Sequence, residues 1–145
     1  MSDPQSIQIE RTFSVPTGAV WRAWTDATMV SRWFGSDPAG KVVTAQLDAR
    51  PGGRFEVSFR DSSGAEHTCS GVYVVVGPES KLSFSWQWRS EPGVESFVTV
   101  RLKPQGGGTL MQFEHSRLGE GSTHNYGVGW RATFDKLANV LSTTS

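Results

Sequence analysis

The chain has 145 residues, and its 14 lysines and arginines balance 14 aspartates and glutamates, so the formal net charge is zero. This length suits one domain, residues 1–145 with a core from 7 to 141, burying roughly 68 to 70% of the surface its unfolded chain exposes. Even charge with no long run of one sign excludes the electrostatic footprint of a nucleic-acid or anionic-membrane binder, and the longest apolar run, Val72 to Val76, falls far short of the roughly 20 residues of a membrane helix.

Met1-Ser2-Asp3-Pro4 carries no basic and apolar targeting signal, and the lone Cys69 cannot form an intrachain disulfide. The expectation is a soluble cytoplasmic protein, monomer or homodimer. Ile7 to Phe13 alternates Ile7, Ile9 and Arg11 against Gln8, Glu10 and Thr12 and predicts a strand. Ser14-Val15-Pro16-Thr17 offers a helix start, and Val20, Trp21 and Trp24 follow at helical spacing. Thr25-Asp26 restarts a second short helix with Met29, Val30, Trp33 and Phe34 on one stripe, and Gly35 ends it. Lys41 to Ala49 predicts a strand, and Arg50-Pro51-Gly52-Gly53 places proline and glycine at the centre of a type II turn.

Arg54 to Arg60 returns with Phe55, Val57 and Phe59 on one face. Asp61-Ser62-Ser63-Gly64 makes a hairpin into Glu66 to Val76, and Gly77-Pro78-Glu79-Ser80 turns into the clearest strand, with Leu82, Phe84, Trp86 and Trp88 at every second position. Ser96 to Lys103 and Thr109 to Arg117 pair across Gln105-Gly106-Gly107-Gly108, and Gly119 to Ser122 leads to the last element. There Tyr126, Trp130, Phe134, Leu137 and Leu141 recur at spacings of four, four, three and four, one stripe of a long helix. The order strand, two helices, six strands, helix predicts an α+β fold: a curved antiparallel sheet of six to seven strands around a C-terminal helix.

Few residues carry chemistry. His67, His115 and His124 stand in no paired spacing with carboxylates or Cys69 that makes a metal site, and no cofactor motif is present. Gly106-Gly107-Gly108-Thr109 lacks a lysine and precedes a strand, so it is a turn and not a phosphate loop. His67 and Cys69 share a strand face, as an activated thiolate requires; the plainer reading is a cysteine packed as a small hydrophobe beside an edge histidine. Asp48, Glu56, Glu66, Glu95 and Glu114 alternate with apolar residues and point to solvent. His115 follows Met111 and Phe113 at period two and so faces the helix, either as a polar anchor of an apolar pocket or as a core histidine bonded to backbone.

Six tryptophans form a large aromatic payload, and Trp33, Trp86, Trp88 and Trp130 belong to elements that face the space between helix and sheet. They either line a pocket for a flat or lipid-like ligand or fill the core themselves. Gly127 and Gly129 weaken the start of the last helix, by about 1 kcal/mol each relative to alanine.

Arg11-Thr12-Phe13 with Pro16, Val20-Trp21-Arg22-Ala23-Trp24-Thr25-Asp26, Trp33-Phe34, Asp48-Ala49-Arg50-Pro51-Gly52-Gly53, Gly71, Trp86-Gln87-Trp88, Val98-Thr99-Val100, Gly108-Thr109, His115 and Gly129-Trp130 with Leu137 together resemble the activator-of-heat-shock-chaperone-ATPase (Aha-type) homologues over Ile7 to Leu141. The resemblance implies the helix-grip fold of the START-like, birch-pollen-allergen superfamily, in which a curved sheet grips a long C-terminal helix over a hydrophobic cavity. It implies no shared catalytic set. The co-chaperones that name the family make their main chaperone contact through a separate N-terminal domain, for which 145 residues leave no room.

The expected function is non-enzymatic binding of a small hydrophobic or aromatic ligand. Trp33, Phe34, Trp86, Trp88, Trp130 and Phe134 supply contact area, and His115 and Tyr126 orient a polar group. Two alternatives stand beside it: a chaperone-interacting stress-response protein, and a polyketide cyclase-like or aromatase-like enzyme with His115 as acid or base.

Overall fold

The computed structural model describes residues 6–35, 37, 39–91, 93, 95–117 and 126–143, with the side chains of 126 and 143 outside the description. Strand β1 (Ile7–Phe13) leads to helices α1 (Thr17–Thr25) and α2 (Ala27–Trp33). Strands β2 (Lys41–Leu47), β3 (Arg54–Arg60), β4 (Glu66–Gly77), β5 (Lys81–Trp88), β6 (Glu95–Gln105) and β7 (Gly108–Ser116) follow, then helix α3 (Tyr126–Thr143). The strands form one curled antiparallel sheet of order β1-β7-β6-β5-β4-β3-β2. The predicted elements and their order stand; the expected lead-in from Gly119 to Ser122, and His124, lie outside the described residues.

Local chemistry sets the boundaries. Pro16 precedes α1, where its missing N–H costs nothing. The carboxylate of Asp26 caps α2 by accepting from the backbone N–H of Thr28 at 2.8 Å and of Met29 at 3.3 Å. Gly35, at φ 102°, turns the chain away just beyond it, a conformation that favours glycine. In the β6–β7 hairpin Gln105 pairs with Gly108, and both residues between them have positive φ, the two-residue turn that matches strand twist.

One face of the sheet carries the core. Phe55, Val57 and Phe59 of β3, Leu82, Phe84, Trp86 and Trp88 of β5, and Met111, Phe113 and His115 of β7 are buried, as period two requires. Trp130, Phe134, Leu137 and Leu141 of α3 are buried against it, each side chain contributing about 1.5–3 kcal/mol of transfer free energy. The helix α2 lies against β2 and α3, α1 against β6 and β7, and α3 against β1. Arg11, on the inner parity of edge strand β1, reaches over the rim to Asp135 of α3 at 3.0 Å and to the Arg131 carbonyl at 3.1 Å.

Gly71 permits the sheet to close tightly on itself. It pairs with Phe55 on the inner face, and a Cβ there would overlap the Ser85 carbonyl oxygen and press on the Phe55 ring. Gly71→Ala should therefore cost about 1–3 kcal/mol or more, read as a clear drop in the midpoint of urea unfolding. Gly77→Ala on the same strand meets only ordinary contacts and should shift that midpoint little.

Candidate functional site

The inner face of β3 and β5 presents rings upward, and the three helices present rings downward. Trp24 of α1 meets Trp33 of α2 edge-on at 4.9 Å between centroids. Phe34 stacks on Trp86 at 5.9 Å, and Trp130 lies 5.2 Å from Trp86 and 4.6 Å from Phe113. Phe134 packs on Phe113 at 5.0 Å. Edge-to-face contact of this kind lets rings from opposite layers interdigitate at crystal-like density.

What remains between them is a void of about 20 Å³, walled by Trp24, Val30, Trp33, Phe34, Leu47, Phe55, Val57, Tyr73, Phe84 and Trp86. That is space for about one water molecule. The roomy hollow expected between α3 and the sheet is, among the described residues, largely occupied by the protein's own rings. Of the residues expected to contact a ligand, Trp33, Phe34 and Trp86 wall the void, while Trp88, His115, Trp130 and Phe134 are buried in contacts with other side chains. The side chain of Tyr126 lies outside the described residues.

Trp24, Phe55, Tyr73 and Phe84 supply the other rings of the wall, with Val30, Leu47 and Val57 between them, and were not expected in the site. The alternation of Phe55 and Phe84 marked them as inward, but nothing local indicates that rings from β3, β4, β5 and α1 meet at one point. Leu47, on edge strand β2, is the one wall residue that is only partly buried, so the wall is thinnest there.

His115 resolves into an internal connector. It is fully buried, and the Trp130 indole N–H donates to its Nδ1 at 2.9 Å. An indole nitrogen only donates, so Nδ1 is the unprotonated nitrogen and Nε2 carries the hydrogen. Nε2 lies 2.6 Å from the Ser96 hydroxyl, which in turn reaches the Trp86 carbonyl at 3.5 Å. The chain joins α3 to β7, β6 and β5, so the expected role of His115 as a ligand's polar anchor gives way to docking of the helix. The core reading was right in kind, with side chains rather than backbone as the partners of its ring nitrogens. Burial pushes its pKa down to about 3 because the charged form loses its hydration.

The remaining reactive types are structural. Cys69 is fully buried, and burial pushes its thiol well up, away from the thiolate a nucleophile needs. His67 turns instead to Asp61, at 2.9 Å across the β3–β4 hairpin. The Ser63 hydroxyl and then His67 hold the Asp61 carboxyl well below its ordinary range. Among the described residues, no three His, Cys, Asp or Glu side chains are grouped to hold a metal ion. A wider concavity of about 410 Å³ lies over the outer face between Gln46, Arg54, Glu56, Ser70, Gln87 and Glu95. Its walls are polar, and Glu56 is paired there with Arg89 at 2.7 Å.

A single curled sheet gripping one long helix, with aromatic side chains packed between them, defines the helix-grip class. The chain belongs to the family of Activator of Hsp90 ATPase homolog 1-like proteins, whose model matches residues 14–142. It is similar in fold to a crystal structure of a Chromobacterium violaceum protein, at 22% identity over 95% of this chain and 97% of that one, with a TM-score of 0.86. The AHSA1-like protein of Aeromonas hydrophila, solved by NMR, superposes with a TM-score of 0.81 at 23% identity, covering 96% and 93% of the two chains. CalU16 from Micromonospora echinospora is 31% identical over 94% of this chain and 76% of its own, with a TM-score of 0.72. No curated protein matches the chain.

The His115 geometry dictates a pH dependence. Its folded-state pKa of about 3 lies below the ordinary value of 6.5, so the unfolded chain binds the extra proton between those values. Stability should be complete above pH 6.5 and fall as pH drops toward 3, by at most about 1.4 kcal/mol per pH unit. His115→Asn should be less stable near neutrality by roughly 1–3 kcal/mol, and urea unfolding of the two proteins between pH 4.5 and 6.5 should show this slope only in the parent.

Proposed function

We infer that the chain is a non-enzymatic binding protein that takes a small, flat, apolar molecule into the ring-walled space beneath α2. The supporting observation is the void itself: it is a place where the otherwise interlocked rings of three strands and two helices, with Leu47 of a fourth strand, fail to close. Apolar walls with few polar groups are the usual character of small-molecule sites. Among its wall residues only Tyr73 titrates, and burial pushes that phenol further up, away from neutrality. A proton-transfer role has no candidate group in the wall, and His115 has both ring nitrogens engaged elsewhere; this weighs against the cyclase-like reading.

Occupancy requires the walls to spread. The helix α2 is the lightest wall, seven residues long. Its C-terminal end is tied to α3 by the Lys136 ammonium, which donates to the Phe34 carbonyl at 3.4 Å and the Asp37 carbonyl at 3.1 Å. Leu47 of the edge strand marks where a ligand enters. Titration with flavonoids, polyketide-like aromatics and fatty acids should give saturable quenching of tryptophan fluorescence at micromolar concentrations for flat compounds. The absence of any saturable response across the panel would remove this reading.

The family's description favours a second reading, contact with a chaperone of the Hsp90 type. That role needs no interior space and predicts co-purification with the cell's own chaperone together with a changed ATPase rate. Failure of both would exclude it, whatever the ligand titrations give.

A further inference from the structure

The hollow of about 410 Å³ on the outer face of the sheet is built around one row of cross-strand neighbours. Gln46 of β2 faces Glu56 of β3, Glu56 faces Ser70 of β4, Ser70 faces Gln87 of β5, and Gln87 faces Glu95 of β6. Five adjacent strands at a spacing of roughly 4.8 Å make this row a trough about 19 Å long, running across the strand direction. Arg54 flanks the row, two residues before Glu56 on the same face of β3. The sheet is irregular here: the Val72 N–H donates to the Ser85 hydroxyl at 2.9 Å, and the register of β4 against β5 shifts between Tyr73 and Val75. Such irregularities are over-represented beside functional sites.

Polar side chains elsewhere on this face are engaged with one another. Gln8 donates to Glu114 at 3.3 Å and Gln112 to Glu10 at 2.9 Å, the Ser58 and Thr68 hydroxyls lie 2.7 Å apart, and Arg60 donates to Glu66 at 3.3 Å. Along the row only Glu56 is paired, with Arg89 at 2.7 Å. The side chains of Gln46, Arg54, Ser70, Gln87 and Glu95 make no hydrogen bond or ion pair with any described residue, although four of them stand in one row. Two amides, a hydroxyl, a guanidinium and a carboxylate thus offer donors and acceptors in mixture.

Charge narrows the occupant. With Glu56 paired to Arg89, one guanidinium and one carboxylate remain, and they cancel. An anion meets Glu95, and a cation meets Arg54. Any occupant displaces water from these groups and must return the hydrogen bonds that the water made. A neutral molecule with many hydroxyls, each both donor and acceptor, does so along its whole length. We propose that this outer trough is a second binding site and that it takes an extended, neutral oligosaccharide. It lies on the opposite face of the sheet from the ring-walled void, so the two readings stand or fall independently.

Cellotetraose is the probe, titrated into the ¹⁵N-labelled full chain. The side-chain amide resonances of Gln46 and Gln87 and the backbone amides of Ser70, Gly71 and Val72 should shift saturably at millimolar concentrations, while the Trp130 indole resonance stays in place. Ser70→Ala and Gln87→Ala should each weaken binding by about two- to tenfold. Gln112→Ala, on the same face but outside the trough, should leave it unchanged. The acidic tetramer of galacturonate and the cationic tetramer of glucosamine should both bind more weakly than cellotetraose. No saturable shift with cellotetraose, or shifts that Ser70→Ala and Gln87→Ala leave unaltered, would overturn the proposal. So would tighter binding of either charged tetramer, or saturation by tetraglycine in place of the sugar, which would mark a peptide site.

Discussion

The structure depends on rings from the helices fitting between rings from the sheet. Trp130 touches Phe113, Trp86 and Phe134 at once, and its indole N–H is spent on His115. The same side chain thus supplies apolar contact and a directional bond, and the two act differently. Ring burial is strong but tolerates sliding; the Trp130–His115–Ser96 chain has one geometry and sets how α3 sits along and about its axis. A buried imidazole with both nitrogens occupied is costly to disturb, because a shift of the helix would leave a donor and an acceptor unmet in an apolar setting.

That arrangement divides the interior into two parts with different character. On α3 the Trp130 N–H has a partner, and His115 serves the fold. Beneath α1 and α2 the packing is looser: a small gap persists and two indole donors have nothing to bond. A well-packed region scaffolding a less satisfied one is a common division of labour, since binding sites are drawn from the less stable parts of a domain. The seven-residue α2, bounded by the Asp26 cap and the Gly35 turn, closes the looser side.

The elements of the fold were readable because their signals are local. Phe84, Trp86 and Trp88 alternate with polar residues, so β5 could be neither a helix nor a strand buried on both faces; the α3 stripe repeats at helical spacing; Pro51-Gly52 and Gly106-Gly107 mark turns through backbone angles that few other residues adopt. The site was only half legible. Trp33, Phe34 and Trp86 could be assigned inward, yet Trp24, Tyr73 and Phe55 join them through contacts between elements distant in the chain. Ser96 carried no local sign of being the partner of His115, because that bond arises from the register of β6 against β7.

The sequence by itself determined which elements form, in what order, and which side of each is apolar, because periods of two and 3.6 residues are properties of neighbouring positions. Tertiary structure alone decided whether those apolar faces interlock or stand apart, which histidine nitrogen is protonated, and which indole donors are left unmet. Those outcomes turn on ring orientations fixed by several elements at once, and differences of about an ångström between layers separate a filled core from a cavity.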